Sequence, residues 1–377
     1  MTLHNATQFE AGYNLGLEKS GHHCLVVVAK ATFSMPKNIE EEATLKPKEE
    51  QLEVFNADVH TGEAGESAVL YENDFAPFKA KCDVILNGSA YAYPHKEVTS
   101  QIVELRLGDI NKSFKVLGER VWEDGFLGLK GSSPKPFNKQ FISYDIAYGG
   151  FDFNPKYSSE NEENYVSYLP NPIGRGYAPF KSDSELYGEL LAQTEEIGIS
   201  ATYVKGKKYK PQSFGVVARH WYPRYTLGGT YDEDWIENVR PFLPKDFNEE
   251  YYQSAPKEQQ IAYIEGGELV ELKGLTSDGR RVFKLPKLEV AMEVIRSNGE
   301  REQLTPVVDT LILEPDEERF IMVSRAKIKL KRSLHEIDTV IVGVPDEFWE
   351  KQRLYGECYT REVHEKMKQE EKEEEDG

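Results

Sequence analysis

"CLVVVAKATFSM", residues 24–35, is the stretch on which the fold turns. It opens with an unbroken apolar run, Cys24 to Ala29. It then alternates, with Ala29, Ala31 and Phe33 on one face and Lys30, Thr32 and Ser34 on the other. Side chains of an extended backbone switch sides at every residue, so the pattern predicts a strand. "KCDVILNGSAYAY" (81–93) and "TSQIVELRLGDINKSFKVLGER" (99–120) continue it. Ile102, Glu104 and Arg106 alternate with Val103, Leu105 and Leu107, and "GDINK" supplies the turn to the next strand. Strands return in "GELVELKGL" (267–275), "LEVAMEVIRSNGEREQLTPVVDTLILE" (288–314) and "RFIMVSRAKIKL" (319–330), read as a meander in which Asn298-Gly299 is a hairpin turn. "DTVIVG" (338–343) is the last of them. The expected class is mostly β with short helices, a β-rich α+β chain of antiparallel sheets or a sandwich with long irregular loops.

Four regions follow from these patterns. Residues 1–120 form an N-terminal antiparallel β region, and residues 121–287 a middle region rich in Gly, Pro and aromatics. Residues 288–360 form a C-terminal β meander packed on the rest, and residues 361–377, "REVHEKMKQEEKEEEDG", an acidic, solvated, disordered tail. Three short helices are expected in the middle. Thr230 and Glu233 have capping-box spacing ahead of Trp235, Ile236 and Val239, with Pro241 as the stop. Asp246 is placed to cap a second helix through "NEEYYQ". "SDSELYGELLAQTEE" (182–196) is the third, capped by Ser182 or Ser184. No internal repeat is visible.

Composition bounds the function. The 377 residues are 39% hydrophobic and include 21 Tyr and 18 Phe, enough for a packed core. A formal net charge of −19 argues against nucleic acid, whose phosphates need a basic face. "KGKKYK" (205–210), the one basic cluster, reads as a solvated hairpin tip. No run approaches the roughly 20 apolar residues that span a bilayer, so no membrane insertion is expected. "MTLHNATQFE" has neither the basic nor the apolar part of a secretory signal, which points to the cytoplasm. Cys24, Cys82 and Cys358 are few, scattered and odd in number, and read as packed, reduced thiols.

A search for reactive groups yields little. There is no Gly-x-Ser-x-Gly elbow. Ser-x-x-Lys occurs at Ser34/Lys37, Ser132/Lys135, Ser254/Lys257 and Ser324/Lys327. The first three contain a proline, and the last lies in a predicted strand, where residues three apart face opposite ways. His22 and His23 are adjacent and cannot share an ion from a strand. His60, His95, His220, His335 and His364 have no second ligand at metal spacing, so neither metal nor cofactor is expected. Asp232, Glu233 and Asp234 stand at a helix start, where negative charge suits the helix dipole. "NPIGRGYAPF" (171–180) has two glycines two apart and a following proline, a poor phosphate cradle. Its Arg175, set between glycines, is poised to meet a carboxylate of this chain or of a partner. "GERVW" (118–122), "SYDIAYGGFD" (143–152), "RHWYPRY" (219–225) and "GTYDEDW" (229–235) share this mixture of Trp, Tyr, Arg, Asp and Gly. Such residues staple irregular cores, and they also dominate protein–protein contacts.

The order of these motifs, with "LNGSAYAYP", "VLGERVW", "PFNKQFISYDIAYGGFD", "NPIGRGY", "GTYDEDW", "FLPKDFNEEYYQSAP" and "IEGGELVELKGL" in succession, resembles a bacterial family encoded beside type VI secretion effectors and their spike genes. The resemblance covers roughly residues 10–290. It implies a non-enzymatic adaptor or chaperone that holds a secreted effector protein and loads it onto the valine-glycine-repeat spike, often with a cone-shaped tip protein. The family has no catalytic set. The motif positions carried over are Arg120, Trp122, Tyr144, Gly149, Gly150, Asn171, Pro172, Gly174, Arg175, Gly176, Trp221, Arg224, Tyr231, Asp232 and Trp235, for fold maintenance or partner contact. Residues 189–214 depart from the family pattern. Two other readings stay open: a component delivered with the spike cargo, and a hydrolase using Asp145, Asp152, Asp232 or Asp234.

Overall fold

The computed structural model describes residues 1–94, 96–126, 128–154, 164–199, 207–331, 334–356 and 358–375. Strand makes up 38% of it and helix 15%, so the chain is mostly β. A central six-stranded sheet runs in the order Gln260–Ile261, Cys82–Leu86, Val307–Glu314, Arg319–Lys329, His23–Ser34, Glu10–Leu17. Its pairs are antiparallel except Cys82–Leu86 against Val307–Glu314, which is parallel. A five-stranded antiparallel sheet has the order Thr194–Glu195, Ile110–Leu117, Ser100–Leu107, Leu269–Lys273, Arg280–Lys284. A four-stranded sheet joins Thr2–Asn5, Ile337–Val342, Met292–Arg296 and Arg301–Leu304.

The strand His23–Ser34 is buried on both faces, which is why its sequence opens as a continuous apolar run. Leu25, Val27 and Ala29 pack with Met292, Val294 and Val340 of the four-stranded sheet. Further along the same face, Ala31 and Phe33 join Leu311, Phe320 and Met322 against Val103, Leu105, Phe114, Leu272 and Phe283 of the five-stranded sheet. Cys24, Val26 and Val28, on the opposite face, meet Tyr144, Val216, Ala218 and Trp221 of the middle region. Lys30 and Thr32 share that second face and are buried too. The Lys30 ammonium lies 2.9 Å from the Asp74 carboxylate and 4.0 Å from the centre of the Phe55 ring. Burial pushes its pKa down although Asp74 opposes the shift.

Several local expectations change. The stretch 288–330 is not one meander, because its first hairpin belongs to the four-stranded sheet and its second to the central sheet. Pro306 stands between them, and a proline has no N–H to carry a ladder onward. The helix expected over 182–196 is one turn, Asp183–Leu186, closed by a Ser182/Glu185 capping box. Beyond it the backbone bonds with the strand around Trp122: Gly188 N donates to Trp122 O, and Leu191 N to Arg120 O. Asp232, not Thr230, caps the helix Glu233–Asn238, since Thr230 is held by Asp246. Asn248 therefore caps the 3₁₀ turn Glu249–Tyr252 in place of Asp246. Residues 361–375, expected as a disordered tail, form a helix whose side chains through Glu370 are exposed apart from His364. Part of "KGKKYK" and His95 lie outside the described residues. Tyr209 of that basic stretch is buried against Tyr148 rather than solvated at a hairpin tip. Cys24 and Cys82 are buried thiols, but Cys358 is exposed. Among the described residues no helix is long and apolar enough to cross a membrane.

Candidate functional site

The motifs "SYDIAYGGFD" and "NPIGRGY" fold onto each other as a knot built from glycine. Tyr148–Gly149 pairs in parallel with Arg175–Gly176. Asn171 is wholly buried between them, and its Nδ2 donates to the carbonyls of Tyr144 (2.8 Å) and Tyr148 (3.1 Å). Gly150 N donates to Asn171 O, Arg175 N to Ala147 O and Tyr177 N to Gly149 O. A Cβ on Gly149 would sit 2.0 Å from Asn171 O, and one on Gly174 would sit 2.3 Å from Asn171 Nδ2. Both contacts are closer than any side chain tolerates, so the glycines are required by backbone approach.

Over this knot lies a groove of about 970 Å³. One wall is Pro172–Ala178, the other Leu186–Leu190, and Trp122 and Gly149–Phe151 line the space between. Trp122 is buried, whereas Phe151 (60%), Tyr187 (59%) and Leu190 (37%) are exposed. Lys181 and Glu189 pair at 3.1 Å beside the groove. Among the described residues, Arg175 pairs with no carboxylate of this chain. Its Nη1 donates to Gln193 Oε1 at 2.9 Å, and Gln193 in turn donates to Gln140. The nearby Glu119 carboxyl is held low mainly by Lys135, with Arg175 a smaller influence.

The other motif residues divide by burial. Arg120 is 1% exposed and donates to Ala192 O, with Glu195 at 3.4 Å. Arg224 spends its guanidinium on Tyr251 O, Val217 O and Glu72. Tyr144 meets Trp221 edge to face, ring centres 5.3 Å apart, and both are buried. Tyr144 and Trp221 hold the middle region to the central sheet, whereas Arg120 and Arg224 tie segments outside that sheet to one another. Asp232 accepts from Trp235 N, Trp235 Nε1 donates to Phe242 O, and the Tyr231 and Trp235 rings lie 4.8 Å apart at the surface. Thus Trp122, Gly149, Gly150, Pro172, Gly174, Arg175 and Gly176 come together at the groove, whereas Tyr231, Asp232 and Trp235 form a separate surface feature.

The carboxylates of the hydrolase reading have local duties. Asp145 accepts from Thr61, Ala68 N and Ser143. Asp152 accepts from the amides of Phe153, Phe180 and Lys181, fixing one end of the groove wall. Asp234 takes Asn238 and Lys245. Sequence reasoning missed the buried charges Lys79, Asp83, Asp309 and Arg325, paired at 2.7 Å (Lys79–Asp83) and 3.0 Å (Arg325–Asp309). It also missed Lys112, whose ammonium burial pushes down to about 8 although Glu258 opposes the shift. For Asp83, Lys112, Asp309 and Arg325 the available signal was a charged residue within an otherwise strand-like run, whereas Lys79 lies in a loop and gave none.

Fold and groove together define a β-rich scaffold whose irregular middle region presents a backbone-built recess. The chain belongs to the family described as "Uncharacterized protein conserved in bacteria (DUF2169)", whose model matches residues 20–325. No curated protein and no solved structure matches it.

Proposed function

We propose that this protein is a non-enzymatic adaptor that binds a type VI secretion effector in the bacterial cytoplasm and helps load it onto the valine-glycine-repeat spike, with or without the cone-shaped tip protein. The reading rests on the motif order seen in the sequence and, above all, on the groove over the glycine knot. Its walls are stiffened by interlocked backbone, and its rim leaves Phe151, Tyr187 and Leu190 in water. Large exposed apolar side chains edging a recess are what a polypeptide partner covers. Preorganised walls lower the ordering cost of binding.

The test is affinity purification of the tagged chain from its native host with secretion active. Enrichment of an effector or spike component is the expected result, and it falls at least tenfold in Phe151→Ser/Tyr187→Ser, two exposed changes that leave the urea midpoint unchanged. Failure to enrich either partner overturns the reading. Recovery of the chain itself in secreted material favours delivery with the cargo.

A further inference from the structure

The strand Glu10–Leu17 stands at one rim of the central sheet, paired only with His23–Ser34. A sheet rim carries unpaired N–H and C=O groups, and proteins blunt it with short strands, charge or proline. The other rims of the three large sheets follow that rule. Gln260–Ile261 and Thr194–Glu195 are two residues long, and Thr2–Asn5 and Arg301–Leu304 are four. Arg280–Lys284 carries Arg280, Arg281 and Lys284. Glu10–Leu17, "EAGYNLGL", breaks the rule: it has eight residues, no lysine, arginine or proline, and one charge, at its first position.

The hairpin to His23–Ser34 fixes which backbone groups look outward. Just past the strand, Glu18 N donates to His22 O, and bonded positions recur at every second residue of an antiparallel pair. Glu10, Gly12, Asn14 and Gly16 therefore bond to His23–Ser34, while Ala11, Tyr13, Leu15 and Leu17 turn their N–H and C=O outward. Leu15 N is met by Asn14 Oδ1 at 2.8 Å, and the remaining outward groups have no partner among the described residues. Asn14 and Leu15 are the exposed side chains of the strand, Leu15 at 47%.

We propose that this rim is a self-association surface, on which a second copy of the chain lays the same strand antiparallel about a two-fold axis at Asn14. Only extended backbone answers donors and acceptors at every second residue, and in this register the strand complements itself. Ala11 lies opposite Leu17 of the second copy and Tyr13 opposite Leu15 of the second copy, so every outward N–H and C=O is bonded and the side chains on that face are apolar. Leu15 N exchanges Asn14 Oδ1 for a carbonyl across the axis, which frees the Asn14 amide to meet its own copy. Gly12 lies opposite Gly16. The one like-charged pair, Glu10 against Glu18, falls at the ends, where Lys327 already answers Glu18 at 2.9 Å. Self-pairing does not rest on effector loading: a monomer that enriches an effector upholds that reading and overturns this one.

The test is sedimentation velocity of the full chain across the micromolar range, where a species of twice the 43.1 kDa chain mass is expected. Leu15→Pro removes an outward N–H that the hairpin does not use, and Asn14→Lys sets two ammonium groups face to face on the axis. Each raises the dimer dissociation constant at least tenfold with the urea midpoint unchanged. Register is read by cross-linking. Residues facing each other without exchanging hydrogen bonds have Cα atoms about 4.5 Å apart, within disulfide reach. Asn14→Cys, made with the exposed Cys358 replaced by Ser, therefore forms a disulfide-linked dimer on mild oxidation, and Glu40→Cys, at a remote exposed position of the same background, does not. A monomer at every concentration, a dimer that survives both rim variants, or Asn14→Cys linking no faster than Glu40→Cys overturns the proposal. Should Leu15→Pro fail to fold, Asn14→Lys and the cross-link decide it.

Discussion

Asn171 shows how much a single side chain carries here. Its amide answers two carbonyls that face no water, so Asn171→Ala strands both and costs about 2–4 kcal/mol in urea unfolding. Gly149→Ala fares worse, because the added carbon meets the Asn171 carbonyl oxygen and backbone cannot swing aside, so no soluble folded protein is expected. Arg175 matters less than its motif suggests. It is half-buried and makes one bond, to a neutral amide, so Arg175→Ala costs about 1 kcal/mol by the same assay. Titration supplies another test. Burial raises the Glu258 carboxyl, but Lys112 outweighs it and, with Lys210, holds the group at about 2, below its ordinary 4.5. A depressed carboxyl stabilises fully above pH 4.5, and that contribution drains away as pH falls toward 2. The stability gap between wild type and Glu258→Gln is therefore widest near neutrality and shrinks below pH 4.5. Urea midpoints at pH 7, 4.5 and 3 check this, and a constant gap contradicts it. None of these pairings was legible beforehand, since Lys112 and Glu258 meet across 146 residues of chain.

Among elements, strands and turns were the more readable. The Asn298-Gly299 hairpin falls where the dipeptide placed it, with Gly299 at φ 85° and open space around it. Gly299→Ala therefore pays only the backbone term, about 1 kcal/mol, visible as a lowered urea midpoint with unchanged structure. Helix ends were less readable. Thr230 offered capping-box spacing, but Asp246, sixteen residues away, claimed it and left the cap to Asp232. Past Ser182, the expected helix ran to residue 196 across a segment whose amides bond to Arg120 and Trp122 instead. Local propensity had no knowledge of a neighbouring strand with unfilled carbonyls.

At the level of the whole molecule, sheets are assembled from distant chain. Thr2–Asn5 lies beside Ile337–Val342, and Cys82–Leu86 beside Val307–Glu314. Truncation after Arg325 removes Ile328, Leu330 and Val340 from the core, and with them Ile337–Val342, one of the two inner strands of the four-stranded sheet. The shortened chain is expected to give no sharp urea transition, where the intact chain is expected to give one, followed by tryptophan fluorescence and far-ultraviolet circular dichroism. A sharp native-like transition in the truncated chain contradicts this. The β class, the hairpin turns and the glycine positions were written in the linear order of residues, because period-two patterning and φ constraints act over a few neighbours. The choice of sheet for each strand, the burial of Lys30 and the meeting of two remote motifs around Asn171 came only with long-range packing. Those outcomes depend on which apolar faces and unfilled backbone groups find each other in space, and sequence separation does not encode that.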